Sequence, residues 1–217
     1  MLLRTELEHF RADFMQRAPV EIREAMARAD LDLAASDMID NARKAGDTAP
    51  DFALPEARGG TARLAGLAAQ GPVVLSFYRG GWCPYCALEL TALQRIWPDV
   101  RRCGASLIAI SPQTQSESLR TAQQGGLTFP LLSDTGAAVA SSFGLVFDLA
   151  EELRPIYARF GHALPDRNGD ASWRLPIPAT YVIDRDMAIA LAFLDVDYRN
   201  RLEPAEIVAV LSALAKR

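Results

Sequence analysis

The chain has 217 residues, of which half are apolar and 23% are charged, and its formal net charge is −4. This composition predicts a globular protein with one full core, and the mild acidic balance excludes the basic footprint of a nucleic-acid-binding protein. The longest apolar runs, PVVLSF and SLIAIS, are too short to cross a bilayer, so we expect no membrane association. The N-terminal stretch MLLRTELEHFRADFMQRAPV carries charges throughout, unlike a signal peptide, and we therefore expect a cytoplasmic protein.

Residues 1–46 predict a helical extension. An apolar stripe recurs there at three- and four-residue steps, formed by Leu3, Leu7, Phe10 and Phe14. Pro19 predicts the start of a second helix, and Gly46 predicts the C-cap of a third. The extension is either a packing appendage or a dimerisation element, and the sequence leaves both open.

Residues 47–217 follow a different pattern, in which apolar runs alternate with helical segments. The predicted strands are APDFALP and TARL, joined by a turn at 58–60, then PVVLSFY, SLIAIS, TFPLLSD, ATYVID and AIALAFLD. The predicted helices are one from Cys83 to a kink or stop at Pro98, then 115–124, 135–143, 151–161 and 204–215, with PDRNGDAS as a loop. The alternation indicates an α/β domain over 47–217, whose last two strands make its central sheet mixed.

Cys83 and Cys86 straddle the start of a predicted helix, with Pro84 at its first position. Side chains three residues apart share a helix face, so the two sulfurs can form a bond. The positive end of the helix favours a thiolate, which is the species that attacks a peroxide or a disulfide. The spacing therefore predicts a reversible dithiol–disulfide cycle that needs no organic cofactor.

Other uses of the pair are less well supported by the residues. Zinc needs four ligands, and only Cys103, His9 and His162 remain without a second motif, so we expect no metal. A structural disulfide is disfavoured in a reducing compartment. Cys103 is expected to be a small buried residue, and His162 a surface residue in a loop.

Three segments carry a family resemblance. VVLSFYRGGWCPYCALEL resembles the active-site segment of the thioredoxin superfamily, GDTAPDFALP resembles the first strand of peroxiredoxins, and IPATYVID resembles a later strand of the superfamily. The chain is similar to peroxiredoxin-like proteins of the alkyl hydroperoxide reductase/thiol-specific antioxidant family over residues 46–215. The resemblance implies a thioredoxin-like fold, a central mixed sheet flanked by helices.

The resemblance supports two assignments of roles. The first assignment, here called the peroxiredoxin register, aligns the chain with peroxiredoxins. In it Cys86 takes the peroxidatic role and Glu89 the acid position, while Pro178 stands where the family has an arginine. In the thioredoxin register, Cys83 is the exposed nucleophile, Cys86 the buried resolving thiol and Pro178 a cis-proline facing the disulfide. We expect Cys86 to attack peroxides first and Cys83 to attack protein disulfides first. Arg79 either stabilises a thiolate or is a solvated residue at a strand end.

The predicted function is a thiol-dependent oxidoreductase that reduces hydroperoxides through Cys83 and Cys86. The alternatives are a thioredoxin-like protein-disulfide reductase and a redox sensor or interaction module. The resemblance implies a hydroperoxide or disulfide substrate and a thioredoxin or glutathione system as electron donor. A homodimer is one possible assembly, and the sequence leaves the oligomeric state open.

Overall fold

The N-terminal part of the chain is helical, as predicted. The computed structural model describes residues 2–216, and its first elements are α1 (Leu3–Arg17), α2 (Val20–Ala34) and α3 (Met38–Asn41). The predicted stripe of α1 faces inward, with Leu3 and Leu7 buried and Phe10 and Phe14 partly buried. The expected C-cap is wrong, because α3 ends before Gly46. The Gly46 N–H instead donates to the Ile189 carbonyl over 2.9 Å, which ties this turn to a later strand.

The rest of the chain alternates strands and helices. In order, the first elements are β1 (Ala53–Pro55), β2 (Thr61–Arg63), α4 (Leu64–Ala68), β3 (Val73–Phe77), α5 (Pro84–Arg102), β4 (Ser106–Ser111) and α6 (Gln115–Gln124). They are followed by β5 (Leu131–Ser133), α7 (Ala138–Ser142), β6 (Val146–Asp148), a 3-10 turn (Glu151–Leu153), α8 (Arg154–Arg159), α9 (Leu164–Asn168), β7 (Arg174–Pro176), β8 (Ala179–Ile183), β9 (Ile189–Leu194) and α10 (Pro204–Leu214). These bounds confirm the predicted α/β alternation.

Five strands form one mixed sheet in the order β5-β4-β3-β8-β9. Parallel pairing joins β3 to β4 and β4 to β5, whereas β8 pairs antiparallel with both β3 and β9. All residues of β3 are buried, as expected for a strand covered on both faces. The predicted mixed sheet is confirmed, and β3 lies at its centre.

The pairing of β6 with β7 is a feature that the sequence pattern did not predict. Val146 lies opposite Pro176 and Asp148 lies opposite Arg174 in this antiparallel pair. Each strand has three residues, too few for an alternating pattern to be recognised. Because no local signal brings these two strands together, their pairing is decided by the tertiary structure.

Helix α5 continues past Pro98 to Arg102, so of the two expectations, a kink or a stop, the stop is wrong. Proline inside a helix removes one backbone hydrogen bond and costs about 3 kcal/mol. Leu93 and Val100 are buried on either side of Pro98, and burying each such side chain contributes about 1.5–3 kcal/mol, which offsets that cost. Among the described residues, no helix is long and apolar enough to span a bilayer.

The segment predicted as a loop at 165–172 begins with the short helix α9. Pro165 occupies its first turn, where a missing N–H is tolerated, and Gly169 ends it in the left-handed conformation. The Gly169 N–H donates to the Pro165 carbonyl over 2.9 Å. The loop prediction is therefore wrong for residues 165–168, because Pro165 and Gly169 cap a short helix despite the polar composition of the segment.

The sheet separates two hydrophobic clusters. One cluster holds Leu7 of α1, Leu90 of α5 and Leu211 of α10, and the other holds Leu64 and Phe143 on the opposite face. Helix α1 packs on α5, and α2 packs on the 3-10 turn. The N-terminal helices therefore lie beside the helix that begins at the cysteine pair.

Candidate active site

The cysteine pair lies where the central strand passes into α5, as the sequence predicted. After β3, residues 78–82 turn, and the Cys83 N–H donates to the Gly80 carbonyl over 3.1 Å. Cys83 is the N-cap of α5 in an extended conformation, and Pro84 is in the first turn. Because Cys83 is the N-cap, its sulfur lies at the positive end of α5, and Cys86 follows one turn later.

Two glycines allow the turn to fit against its neighbours. Gly80 has φ of +150°, and a Cβ at this position would lie 2.2 Å from Nε1 of Trp82. A Cβ on Gly81 would lie 2.3 Å from Oγ1 of Thr121, and the Gly81 N–H donates to Gln113 over 2.8 Å. The absence of side chains at both positions therefore lets Trp82 pack beside Cys83.

Both thiols of the pair are free and buried, with 2% of Cys83 and none of Cys86 exposed. A hydrogen bond from the Cys86 thiol lowers the pKa of Cys83, and the charges of Arg79 and Arg201 lower it further against the effect of burial. Burial and the neighbouring Cys83 raise the pKa of Cys86. Deprotonation therefore falls on Cys83 first. The expectation that Cys83 is exposed is wrong, because Cys83 belongs to the buried cluster that also contains Leu7 of α1 and Leu90 of α5.

Arg79 is a buried residue of the site rather than a solvated strand end. It donates a hydrogen bond to the Tyr157 hydroxyl, and its guanidinium lies 4.3 Å from the ring centroid of Tyr198 and 5.2 Å from that of Trp82. Within residues 2–216 no carboxylate forms an ion pair with it. Cys83 is the acidic group beside Arg79 that ionises near neutral pH, so its thiolate is the natural counter-charge.

Arg201 is a site residue that the sequence analysis missed. It lies between β9 and α10, and its Nη2 is 3.7 Å from the sulfur of Cys86. Its Nη1 pairs with Glu89, and the two side chains are 1% and 3% exposed. Burial raises the pKa of Glu89, while the charge of Arg201 opposes that effect. No local motif marks Arg201, since it is 115 residues from Cys86 in sequence and reaches it only through the fold.

Pro178 does not have the geometry that the thioredoxin register implied. Among residues 2–216 no peptide bond is cis, so the expected cis-proline is wrong. Pro178 is buried in the extended link between β7 and β8, where the neighbouring Ile177 N–H donates to the Leu145 carbonyl over 2.8 Å.

A cavity of about 120 Å³, here called the Cys83 cavity, opens beside Cys83. Its lining is mainly aromatic and sulfur-containing, with Phe10, Phe14, Met26, Arg79, Trp82, Cys83, Pro84, Tyr85, Tyr157, Phe160, His162 and Tyr198. Tyr85 packs edge-on against both Phe10 and Tyr198, with centroids 5.1 and 5.5 Å apart. Phe10 and Phe14 come from α1 and Met26 from α2, so the N-terminal extension contributes to the site.

His162 is a second residue whose place the sequence did not predict. It is half-buried, and its ring centroid lies 4.9 Å from that of Trp82. Burial, followed by the charge of Arg167, lowers the pKa of His162. The surface position expected for His162 is therefore wrong, because its ring packs against the rings of Trp82 and Tyr157.

Cys103 and Arg174 do not line the Cys83 cavity. Cys103 is partly buried at the far end of α5, 3.8 Å from the hydroxyl of Ser212. A helix of 19 residues is about 28 Å long, so Cys103 is out of reach of Cys83. Arg174 is exposed in β7 opposite Asp148. Within residues 2–216, no group of three or more His, Cys, Asp or Glu side chains is arranged for a metal ion.

Comparison with known proteins places this geometry in a family. The chain is 34% identical over 113 residues to a putative peroxiredoxin of Mycobacterium tuberculosis, covering 52% of this chain and 73% of the relative. It is 32% identical over 103 residues to thiol-disulfide oxidoreductase ResA of Geobacillus thermodenitrificans, covering 46% and 57%. The solved structure of peroxidoxin BcpB from M. tuberculosis superposes with a TM-score of 0.62 at 27% identity, covering 79% of this chain and 97% of that one.

The fold is thioredoxin-like, as the resemblance implied. The matched family region, residues 45–192, includes both cysteines and four of the five central strands, and β9 continues just beyond it. The helices α1 to α3 and the segment that carries Arg201 lie outside the matched region. The AhpC/TSA family model matches residues 45–192, which are more than half of this chain, and the chain therefore belongs to that family.

Proposed function

We propose that this thiol-dependent oxidoreductase reduces hydroperoxides, with Cys83 as the first attacker and Cys86 as the resolving thiol. The observation that carries the proposal is the Cys83 sulfur, which lies at the N-terminus of α5, lines a cavity and has a lowered pKa. A thiolate in such a setting is the reactive form of cysteine. The order reverses the one taken from the peroxiredoxin register, because burial keeps Cys86 protonated.

The proposed first step is attack of the Cys83 thiolate on the terminal oxygen of the hydroperoxide. The S–O bond forms, the O–O bond breaks, and the alkoxide leaves with the electron pair and takes a proton to become an alcohol. Arg79 lies beside the sulfur and stabilises the negative charge that develops on the leaving oxygen. Cys83 is then a sulfenic acid.

The proposed second step closes the disulfide. Cys86 loses its proton and attacks the Cys83 sulfur, so the S–S bond forms and the S–O bond breaks. The departing hydroxide takes a proton to become water, and the two cysteines have together lost two electrons. Arg201 is 3.7 Å from the Cys86 sulfur and stabilises its thiolate in this step.

The cycle needs a reductant that returns two electrons and two protons to the pair. We propose that a thioredoxin or glutathione system supplies them in the cytoplasm, where both thiols are kept reduced between turnovers. Assembly as a homodimer and the division into an extension over 1–46 and a domain over 47–217 also remain proposals.

A second candidate function is reduction of protein disulfides. It is favoured by the Trp82–Cys86 sequence WCPYC at a helix start and by the similarity to ResA. The burial of both sulfurs speaks against it, since a protein disulfide must come into contact with the attacking sulfur.

Peroxide treatment of the wild type and of each cysteine variant tests the assignment. With hydrogen peroxide or cumene hydroperoxide, Cys86→Ser should accumulate a sulfenic acid on Cys83 that dimedone traps and mass spectrometry locates. Cys83→Ser should consume peroxide no faster than a free thiol. A sulfenic acid on Cys86 would restore the peroxiredoxin register, and no fast consumption by the wild type would contradict peroxide reduction.

A further inference from the structure

The helices α1 and α2 lie over the cysteine pair, outside the segment that matches the AhpC/TSA family. Phe10 and Phe14 of α1 and Met26 of α2 line the Cys83 cavity directly. Phe10 also packs edge-on against Tyr85, the residue between the two cysteines, with ring centroids 5.1 Å apart. We refer to α1 and α2 together as the lid.

The lid is fixed to the rest of the protein at both helices. In α1, Glu6 accepts two hydrogen bonds from Arg95 of α5, at 2.8 and 3.1 Å, and the first backbone N–H groups donate to Glu203. In α2, Asp30 pairs with Arg199 at 2.6 Å, and Arg28 pairs with Glu152 at 2.8 Å. Its position over the site is therefore maintained by polar contacts as well as by buried leucines.

The space left under the lid is small and apolar. Its volume of about 120 Å³ is close to that of cavities of about 150 Å³ that accept a benzene-sized molecule. Because only 2% of Cys83 is exposed, a folded protein reaches it only if the lid moves, whereas a small molecule can enter the existing cavity. A small molecule with an apolar substituent fits both the size and the aromatic lining.

We propose that the lid sets the substrate range of Cys83, with Phe10, Phe14 and Met26 as specificity-determining residues that favour small apolar hydroperoxides over protein disulfides. The part of this proposal that concerns hydroperoxides rests on the proposed function. The peroxide group reaches Cys83 and Arg79 at the inner end of the cavity, while the hydrocarbon part contacts the lid. Hydrogen peroxide has no apolar part and gains nothing from these contacts.

The first experiment measures access to Cys83 without any turnover. Reduced protein is alkylated with iodoacetamide or with a polymer-linked maleimide, and mass spectrometry follows the peptide that contains Cys83. Phe10→Ala should raise the rate with the large reagent about tenfold, the factor expected when about 1.4 kcal/mol of ring contact is lost. Met15→Ala is the matched control, because Met15 is on the same helix and 44% exposed. Its rates should equal those of the wild type.

The second experiment compares substrates. Phe10→Ala should lower the ratio of kcat/KM for cumene hydroperoxide to that for hydrogen peroxide about tenfold, and should raise the reduction of insulin disulfides. Met26→Ala is a second lid variant from α2, used if Phe10→Ala does not fold by circular dichroism. An unchanged ratio together with unchanged insulin reduction in a folded lid variant would overturn the proposal.

The two experiments separate failure of the lid from failure of the proposed function. If the wild type does not consume hydroperoxides faster than a free thiol, peroxide reduction is wrong, yet the alkylation rates still decide whether the lid controls access. If the polymer-linked maleimide reacts equally fast with wild type and Phe10→Ala, the lid does not restrict Cys83, whatever the substrate is.

Discussion

Nη2 of Arg201 lies 3.7 Å from the sulfur of Cys86, while Nη1 of the same guanidinium pairs with the buried Glu89. Arg201 thus connects the resolving thiol to a carboxylate on the next turn of α5. The family resemblance implies an arginine at the position of Pro178, which this chain lacks. Arg201 brings a guanidinium to the cysteine pair from a different segment.

Because Arg201 and Glu89 form a buried ion pair, we expect the effects of substituting each of them on stability to be strongly non-additive. Arg201→Met leaves the Glu89 carboxylate buried without its partner and should lower the free energy of unfolding by about 3–5 kcal/mol. The double variant Arg201→Met/Glu89→Leu removes both charges and should recover most of that loss. Urea denaturation of the two single variants and the double variant measures the coupling. Losses that simply add would show that the pair does not act as a unit.

Arg79 is predicted to hold down the pKa of Cys83. Arg79→Met keeps most of the side-chain volume but removes the charge, and should raise the pKa of Cys83 by about 1–3. The pH dependence of Cys83 alkylation by iodoacetamide measures this change, because the thiolate is the reactive form. Arg174→Met is the control, since Arg174 is exposed on β7. An identical profile for wild type and Arg79→Met would exclude Arg79 as the stabilising charge.

The lowered pKa of Cys83 also predicts a pH dependence of stability. Between that pKa and the ordinary value of about 8.5, the folded protein binds fewer protons than the unfolded chain, so stability rises with pH across this window. The contribution is lost as the pH falls through the folded-state pKa. Above about 8.5 the raised pKa of Cys86 acts in the opposite direction.

Unfolding of two variants checks this assignment. Cys83→Ser should remove the rise in stability above about pH 7.5, where the unfolded-state titration of histidine, centred near pH 6.5, no longer lets His162 contribute. Cys103→Ser should keep it, because Cys103 lies at the other end of α5. A rise that survives in Cys83→Ser would mean that another group causes it.

We expect alanine substitution to have opposite effects on stability at Gly80 and at Gly66. Gly80→Ala should destabilise the protein by about 1–3 kcal/mol, because φ is +150° and the added Cβ would lie 2.2 Å from Trp82. Gly66→Ala, in α4 with nothing within 4 Å of the added Cβ, should stabilise it by about 0.5–1 kcal/mol. Thermal unfolding compares the two variants, and changed tryptophan fluorescence in Gly80→Ala would report the displaced indole. Equal stabilities would contradict the close packing of Trp82.

Local signals determined much of the fold and the position of the cysteine pair. The helix at 115–124, the buried strand in PVVLSFY and the helix start at Pro84 were all predicted because side-chain periodicity and caps act over a few residues. The same locality explains why Cys83 and Cys86 could be assigned to one helix face, and why redox chemistry could be inferred for them.

The tertiary structure decided what surrounds the pair. Phe10 was recognised as part of an apolar stripe, but the sequence did not indicate that this stripe covers Cys83. Arg201 meets Cys86, and His162 meets Trp82, only because the sheet and the later loops bring distant segments together. Such contacts depend on the balance of burial, charge and packing over the whole chain, whereas helix starts and strand patterns depend on neighbouring residues. The sequence by itself therefore determined where the cysteine pair lies, and the tertiary structure decided which side chains surround each sulfur.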